Sequence, residues 1–478
     1  MPTVDYSAAN SALWNPIAQM GIIAATILVA NLLRRRFRFI RKSMMPTAVL
    51  GGLLLLCIKV FFDKAFGITF LDGTFLEGLT YHGIAIGFIA MSLRIPEKAE
   101  KQPVNRVGLR SGATIVSSYM IQGIFGLGIS LALAYTVMPK LFKAAGILLP
   151  LGYGQGPGQA NNTGSVYQND WGFAGGRSFG LAIAAAGYLS ACIVGVWYMN
   201  RLLKKGKIKK LDQEIVDGSV TVDRFQDRDE IPVAESLDRL SMQFALVIAV
   251  YLATFLATWG LTSGISAISE GAGKTINGLL WGFNFMIGSG LAIFARVILK
   301  HLKRLKVMEK QYQNNYLLSR IAGLAFDIMI IAGIASINIE DLSGLWLPFA
   351  LMAAAGAIVT LFHLKYVSKR IYPEYYYEGL MSMYGMMTGT ISSGVLLLRE
   401  VDPQLETPAA NNLVIGSSFA ILLGAPLLVL IGLAPKSALM TWITLGIMIA
   451  YYLILLLIAC GGSKKQREAA KEAKETEA

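Results

Sequence analysis

The chain has 478 residues, of which 54% are hydrophobic and 15% charged, whereas a soluble domain carries about 25% charged residues. That composition excludes a water-covered globule and makes lipid the expected solvent. The formal net charge of +13 sits in short basic clusters between apolar runs and forms no single basic face, so no nucleic-acid partner is expected.

The chain opens with a weakly acidic, polar stretch containing Asp5, Ser7 and Asn10, and its first apolar run, 14–33, is followed by Arg34, Arg35, Arg36, Arg38, Arg41 and Lys42. This is the reverse of a cleavable leader, and the run is expected to stay as a span. Further runs of spanning length follow at 44–62, 75–93, 111–137, 178–200, 241–260, 276–298, 318–337, 345–364, 411–432 and 438–460, about eleven spans in all. Two more segments, about 144–166 and 379–398, are apolar but glycine-rich and broken by polar residues, the pattern of re-entrant hairpins.

Counting the hairpins as not crossing puts the basic loops 34–42, 94–110, 201–239, 300–310 and 365–370 and the tail with Lys464 and Lys465 on one side. Lys64, Lys140, Lys143, Arg177, Lys274 and Lys436 fall on the other side. The positive-inside rule then places the N-terminus outside and the C-terminus in the cytoplasm. The expected setting is an inner-type (cell) membrane.

The polar stretch 201–240 reads as a cytoplasmic linker between a first unit, 1–200, and a second, 241–432, with 433–478 adding a further helix and a charged tail. Gly152 follows Trp14 at nearly the interval by which Gly385 follows Ser241, which suggests a duplication. The expected fold is an all-α polytopic membrane protein of two inverted-topology repeats. Each repeat has five transmembrane helices and one re-entrant hairpin, and one additional C-terminal transmembrane helix follows.

The densest polar signal is LGYGQGPGQANNTGSVY at 151–167, where glycines alternate with Gln155, Gln159, Asn161, Asn162 and Thr163 around Gly156. Freed backbone at membrane depth must face protein or a watery cavity, where carbonyls suit cations and amide N–H groups suit carboxylates. The second signal is GLMSMYGMMTGTISSGVLLL at 379–398, with Thr388, Gly389, Thr390, Ser392 and Ser393 at its tip. Its simpler reading is close helix packing with hydroxyls bonded back to the preceding turn.

Asp327 lies inside an apolar run and is a candidate for ion coupling, together with Thr390 and Ser393. Arg177, just after the first hairpin, is a candidate partner for a substrate carboxylate or a snorkelling side chain, and Lys59 and Arg296 are expected to snorkel. Tyr372, Tyr375, Tyr376 and Tyr377 read as an interfacial belt.

Cys57, Cys192 and Cys460 show no pairing interval and His82, His301 and His363 are scattered, so neither a disulfide nor a metal cluster is expected. No Walker A motif occurs, and no nucleophile–base pair lies near a pocket candidate. The expectation is that the chain is not an enzyme and has no cofactor beyond a coupling ion.

From the first spans to about residue 435 the ordered features resemble the bacterial glutamate:sodium symporter family. MPTAVLGGLLL at 45–55 is similar to its early Pro-x-x-x-Gly-Gly span, YGQGPG at 153–158 to its first glycine-rich hairpin, and YGMMTGTISS at 384–393 to its second. Tyr153 and Gln155 replace a glycine and a histidine of that pattern. Ile391 and Ser392 stand where a threonine or alanine followed by proline is expected. The resemblance implies inverted repeats, sodium-coupled uptake of glutamate or a related small anion, alternating access and a homodimer. Sodium would be held by hairpin carbonyls and hydroxyls. The substrate would meet Gln155, Gly156, Gln159, Asn161, Asn162, Thr163, Thr388, Gly389, Thr390, Ser392 and Ser393. The alternatives from the sequence are a proton-coupled or 2-hydroxycarboxylate transporter of the same architecture and, from another class, an ion channel.

Overall fold

In lipid, a single chain segment can satisfy its peptide groups on its own only as a helix, and the described residues form helices with no strand among them. The structure, a computed structural model, describes residues 5–7, 9–43, 45–95, 104–208, 239–268, 277, 280–308, 311–402 and 407–461. Among these, nine helices are long and apolar enough to cross a bilayer, or ten if one bent pair counts as a span. The chain is a multi-pass membrane protein. Most of the expected linker and tail, at 209–238 and 462–478, lies outside the described residues.

In chain order, α1 (Ser11–Arg36), α2 (Thr47–Phe66), α3 (Gly73–Leu93) and α4 (Val104–Tyr135) come first. A lead-in then passes through a 3-10 turn (Lys143–Ile147), a short helical turn (Leu148–Pro150) and a wide π turn (Leu151–Gln155) before α5 (Pro157–Trp171). Helix α6 (Gly176–Lys204) contains a second π turn at Ala191–Gly195. Next come α7 (Arg239–Ile268), α8 (Asn284–Arg304), α9 (Asn315–Ala335) and α10 (Trp346–Ile371). The pair α11 (Tyr376–Thr388) and α12 (Ile391–Arg399) is separated at Gly389 and Thr390. Last come α13 (Ala409–Leu423), α14 (Ala425–Leu433) and α15 (Ala438–Cys460).

The run 411–432 is not one straight helix: α13 and α14 bend by 50°. Pro426 supplies no N–H to Leu422 four residues back, and the break falls at Gly424. Several helices outrun their apolar stretches into polar ends, α10 through Lys369 and Arg370 and α8 through Lys303 and Arg304. Cations in a last turn offset the negative end of the helix dipole.

The chain divides into two compact units that do not follow sequence order. The first gathers α1 to α3 with α7 to α9; the second gathers α4 to α6 with α10 to α15.

In the first unit, Ile89, Ala90 and Leu93 of α3 pack with Val247 and Val250 of α7, Ala292 of α8 and Leu318, Ile321 and Ala322 of α9. Gly83 and Gly87 let α3 approach Met329 and Phe326 of α9 closely. Gly52 of α2 abuts Ile334 of α9, and Gly288 of α8 abuts Ile89 of α3. Lys59 and Arg296 do not simply reach for the interface. Lys59 Nζ donates to the carbonyls of Ala335 (2.6 Å) and Ile337 (3.0 Å) at the end of α9. Arg296 Nη1 donates to those of Ser92 (3.2 Å) and Arg94 (2.8 Å) at the end of α3. The last carbonyls of a helix lack intrahelical donors, and a hydrogen bond from a charged donor contributes about 1.5–3 kcal/mol.

The second unit is built around α4, whose small residues admit neighbours at short range. Gly112 meets Phe419 of α13, Gly123 meets Met448 of α15, and Gly126 meets the backbone of Gly146 in the lead-in. Tyr372 is buried here instead of lying in an interfacial belt. Its hydroxyl pairs with Ser111 Oγ of α4 at 2.7 Å, and its ring stacks on Tyr375 at 5.3 Å. Tyr375 in turn accepts from Asn412 Nδ2 of α13 at 2.8 Å.

Candidate functional site: two broken helices in the second unit

Pro157 has no N–H to return to the carbonyl of Tyr153 four residues back, and Gly156 before it takes φ +89° and ψ −175°. That backbone region belongs essentially to glycine. The path 148–171 is therefore divided into a lead-in and α5, joined by a residue that no side chain suits. The second break has a different chemistry. After Thr388 the chain leaves the helix at Gly389 (φ −152°, ψ −106°), is extended at Thr390 (φ −141°, ψ 173°) and re-enters a helix at Ile391.

The two breaks meet. A Cβ built on Gly156 would lie 3.8 Å from the Gly389 carbonyl oxygen and 3.8 Å from Thr390 Cγ2. Buried Tyr188 of α6 sits against both, 3.7 Å from the Gly156 position through its hydroxyl and 3.0 Å from the Gly389 position through its ring. Gly187, next to it, passes directly against the Thr388 carbonyl. Both hairpins also hang from α10 by phenols. The Tyr153 hydroxyl donates to the Ala353 carbonyl at 2.6 Å, and the Tyr384 hydroxyl reaches that of Ala357, one turn on, at 3.4 Å.

Around the crossing, Gln159, Asn161, Asn162 and Thr163 of α5 and Thr388 and Ser393 of the second hairpin are all buried. Gln155 and Thr390 are half-buried. Thr388 donates back to the Tyr384 carbonyl at 2.8 Å, and Ser382 to that of Gly379 at 3.1 Å. These two hydroxyls are thus engaged within their own helix. Asn161 Nδ2 donates to Asn162 Oδ1 at 3.3 Å. By contrast Gln159 Oε1, Asn161 Oδ1, Thr163 Oγ1 and Ser393 Oγ are buried with no hydrogen-bond partner among the described residues. A native structure keeps few such atoms, and four here lie on the two elements that follow the breaks. The side chain of Ser392 lies outside the described residues.

Asp327 belongs to α9 of the first unit, on an exposed face. Arg177 opens α6, and its backbone N–H donates to Gln168 Oε1 at 3.3 Å.

Three residues at the crossing stand outside the glycine-rich motifs, namely Tyr188, Thr360 and Gln122. Gln122 is fully buried on α4, and its Nε2 donates to Thr360 Oγ1 of α10 (2.8 Å) and to the Met387 carbonyl near the end of α11 (2.9 Å). One amide in the apolar run 111–137 was the only sequence sign of it, since a polar group buried at membrane depth needs partners.

No His, Cys, Asp and Glu cluster able to hold a metal ion occurs among the described residues. What the crossing offers instead is of two kinds. The first turns of α5 and α12 present backbone N–H groups with the positive end of a helix dipole, and the ends of the lead-in and α11 present carbonyls with the negative end. Compared with protein-family models and with curated proteins, the chain matches none.

Proposed function

We propose that the chain is a secondary active transporter that couples sodium entry to uptake of glutamate or a related small anionic solute by alternating access. The observation that carries this reading is the meeting of two broken helices inside one unit, with Gly156 facing Gly389 and Thr390. Discontinuous helices crossing at membrane depth are how many transporters hold ions and anions without a charged side chain.

The reciprocal contacts of the first unit support an inverted repeat. α2 caps α9 through Lys59, and α8 caps α3 through Arg296. The close-packed glycines Gly52 and Gly288 fall on the same two helices and face the same two partners. Such exchange is expected if α1 to α3 and α7 to α9 are the equivalent first three helices of two repeats. In the second unit, α4, the first hairpin and α6 would then correspond to α10, the second hairpin and the bent pair, with α15 as the added helix.

In this mechanism the first-turn amides of α5 and α12 receive substrate carboxylates. Gln159, Asn161, Thr163 and Ser393 supply the unpaired polar atoms that read the rest of the solute. Sodium sits among carbonyls and hydroxyls of the breaks and favours the substrate-ready state by binding it better than the alternative. The protein works as a homodimer within a bacterial inner membrane, N-terminus outside.

The test is uptake of labelled glutamate into proteoliposomes under an inward sodium gradient, beside potassium, choline and pH-gradient controls. Accumulation above equilibrium only with sodium is the expected result. Entry driven by the pH gradient alone transfers the coupling role to protons, and currents without uphill accumulation make the chain a channel.

A further inference from the structure

Gln122 carries an inference about where the coupling ion sits. A glutamine amide has two N–H donors and one carbonyl oxygen. Both donors of Gln122 are used, on Thr360 Oγ1 and the Met387 carbonyl. Turning the amide over would set Oε1 against the Met387 carbonyl, oxygen on oxygen, so the orientation is fixed. Oε1 is then held on the other side, buried and without a partner among the described residues. It faces the lead-in: a Cβ on Gly154 would lie only 3.2 Å from it.

The ring of Tyr119 lies against the same glycine, and the rest of the surroundings is backbone at two helix ends. Gly154 belongs to the wide turn Leu151–Gln155, which ends the lead-in at Gly156. Pro157 withholds the N–H that the Tyr153 carbonyl would otherwise accept. Met387 stands in the last turn of α11. The end of α11 thus meets this amide through Nε2, and the last turn of the lead-in faces its oxygen; both are ends of helical turns, where carbonyls lack intrahelical donors. A buried acceptor left unmet destabilises the fold that holds it. Acceptors grouped in this way call for a hard cation, which takes oxygen ligands, and not for a carboxylate.

We infer that Gln122 Oε1 is a side-chain ligand of a monovalent cation bound at the carbonyl ends of the lead-in and α11, opposite the amide ends that receive the substrate. The inference rests on the reading of the chain as an ion-coupled transporter. It adds a ligand outside both hairpins and separates the ion's pole of the crossing from the solute's. Thr360 acts through Gln122, as one of the two groups that aim its oxygen.

The experiment is thermal unfolding of the full-length protein in nanodiscs, with no solute present, titrated with sodium chloride against choline, potassium and lithium chlorides at constant ionic strength. Bound cation raises the melting temperature with a half-saturation that reports affinity. The wild type is expected to show a sodium-selective rise. Gln122→Ala should move half-saturation at least about tenfold higher, and Thr360→Val about twofold to fivefold, because one amide anchor remains. A wild type with no cation-selective rise, or Gln122→Ala titrating as the wild type does, overturns the assignment. Should Gln122→Ala not fold, hydrogen exchange of the wild type decides. Sodium, and not choline, must protect peptides covering 119–126 and 151–158; equal exchange in both salts overturns it. A sodium-selective rise without glutamate uptake removes the substrate reading and leaves this site standing. Sodium-driven uptake with an unchanged Gln122→Ala titration removes this site alone.

Discussion

In the first unit the open ends of α3 and α9 are closed by charged donors, Arg296 and Lys59, each giving two hydrogen bonds to terminal carbonyls. In the second unit the end of α11 meets one neutral amide, and several buried oxygens around the crossing have no partner among the described residues. The closed ends of α3 and α9 offer a ligand nothing, whereas the crossing in the second unit groups four unmet oxygens on the two elements that follow its breaks. Unmet atoms of the first unit such as Asn284 Oδ1 and Ser289 Oγ lie on the unbroken helix α8. The contrast assigns different kinds of failure to the two units, and substitutions can force it.

The largest effect is expected at Gly156. Alanine there must adopt a backbone conformation costing on the order of 1–3 kcal/mol, with its methyl group turned toward Gly389 and Thr390. Gly156→Ala should lower the initial rate of sodium-driven uptake by about tenfold to a hundredfold while the protein remains folded by size-exclusion chromatography. Uptake at the wild-type rate would break the link between the broken helix and transport.

Next come Lys59→Met and Arg296→Met. Each removes a charged donor from a helix end and should lower stability by about 1.5–3 kcal/mol, read as a fall of a few degrees in melting temperature. The two losses should be similar, and the half-saturating solute concentration of the surviving protein should not move. A change in solute affinity without a loss of stability would erase the distinction between the units.

The smallest and sharpest test compares two hydroxyls of one hairpin. Ser393 Oγ has no partner among the described residues, while Thr388 Oγ1 is committed to the Tyr384 carbonyl. Ser393→Ala should raise half-saturation for solute or sodium about fivefold, and Thr388→Val should change it less than about twofold, since a typical hydrogen bond contributes about 0.5–1.5 kcal/mol. The reverse ranking would show that the free oxygen of Ser393 has no ligand.

Most helices were legible in the sequence because apolar length selects them in lipid, although nine or ten spans stand among the described residues against about eleven expected and α2, with Lys59, Asp63 and Lys64, is not among them; Pro157 beside Gly156 announced the first break through covalent chemistry. The bend at Gly424 was hidden because α13 and α14 form one uninterrupted apolar run, in which Pro426 alone hinted at it. The interleaving of the units was not legible either, since it depends on contacts such as Lys59 with Ala335 between distant segments. Glycine-rich motifs led to α5 and the second hairpin. Gln122 and Tyr188 lay in ordinary apolar spans, where only burial and partners set one polar residue apart from another. Tyr372 was misread for the opposite reason. Aromatic clustering resembles a headgroup belt, but Ser111 gives that phenol a partner inside the protein.

The capping of α9 by Lys59 also sets a schedule for biosynthesis. Its acceptor lies 276 residues further along the chain, which at about 5–20 residues per second is a delay of roughly a quarter-minute to a minute. Until then Lys59 lacks these two acceptors and the end of α3 lacks Arg296, so neither contact can form before the second half of the chain is made.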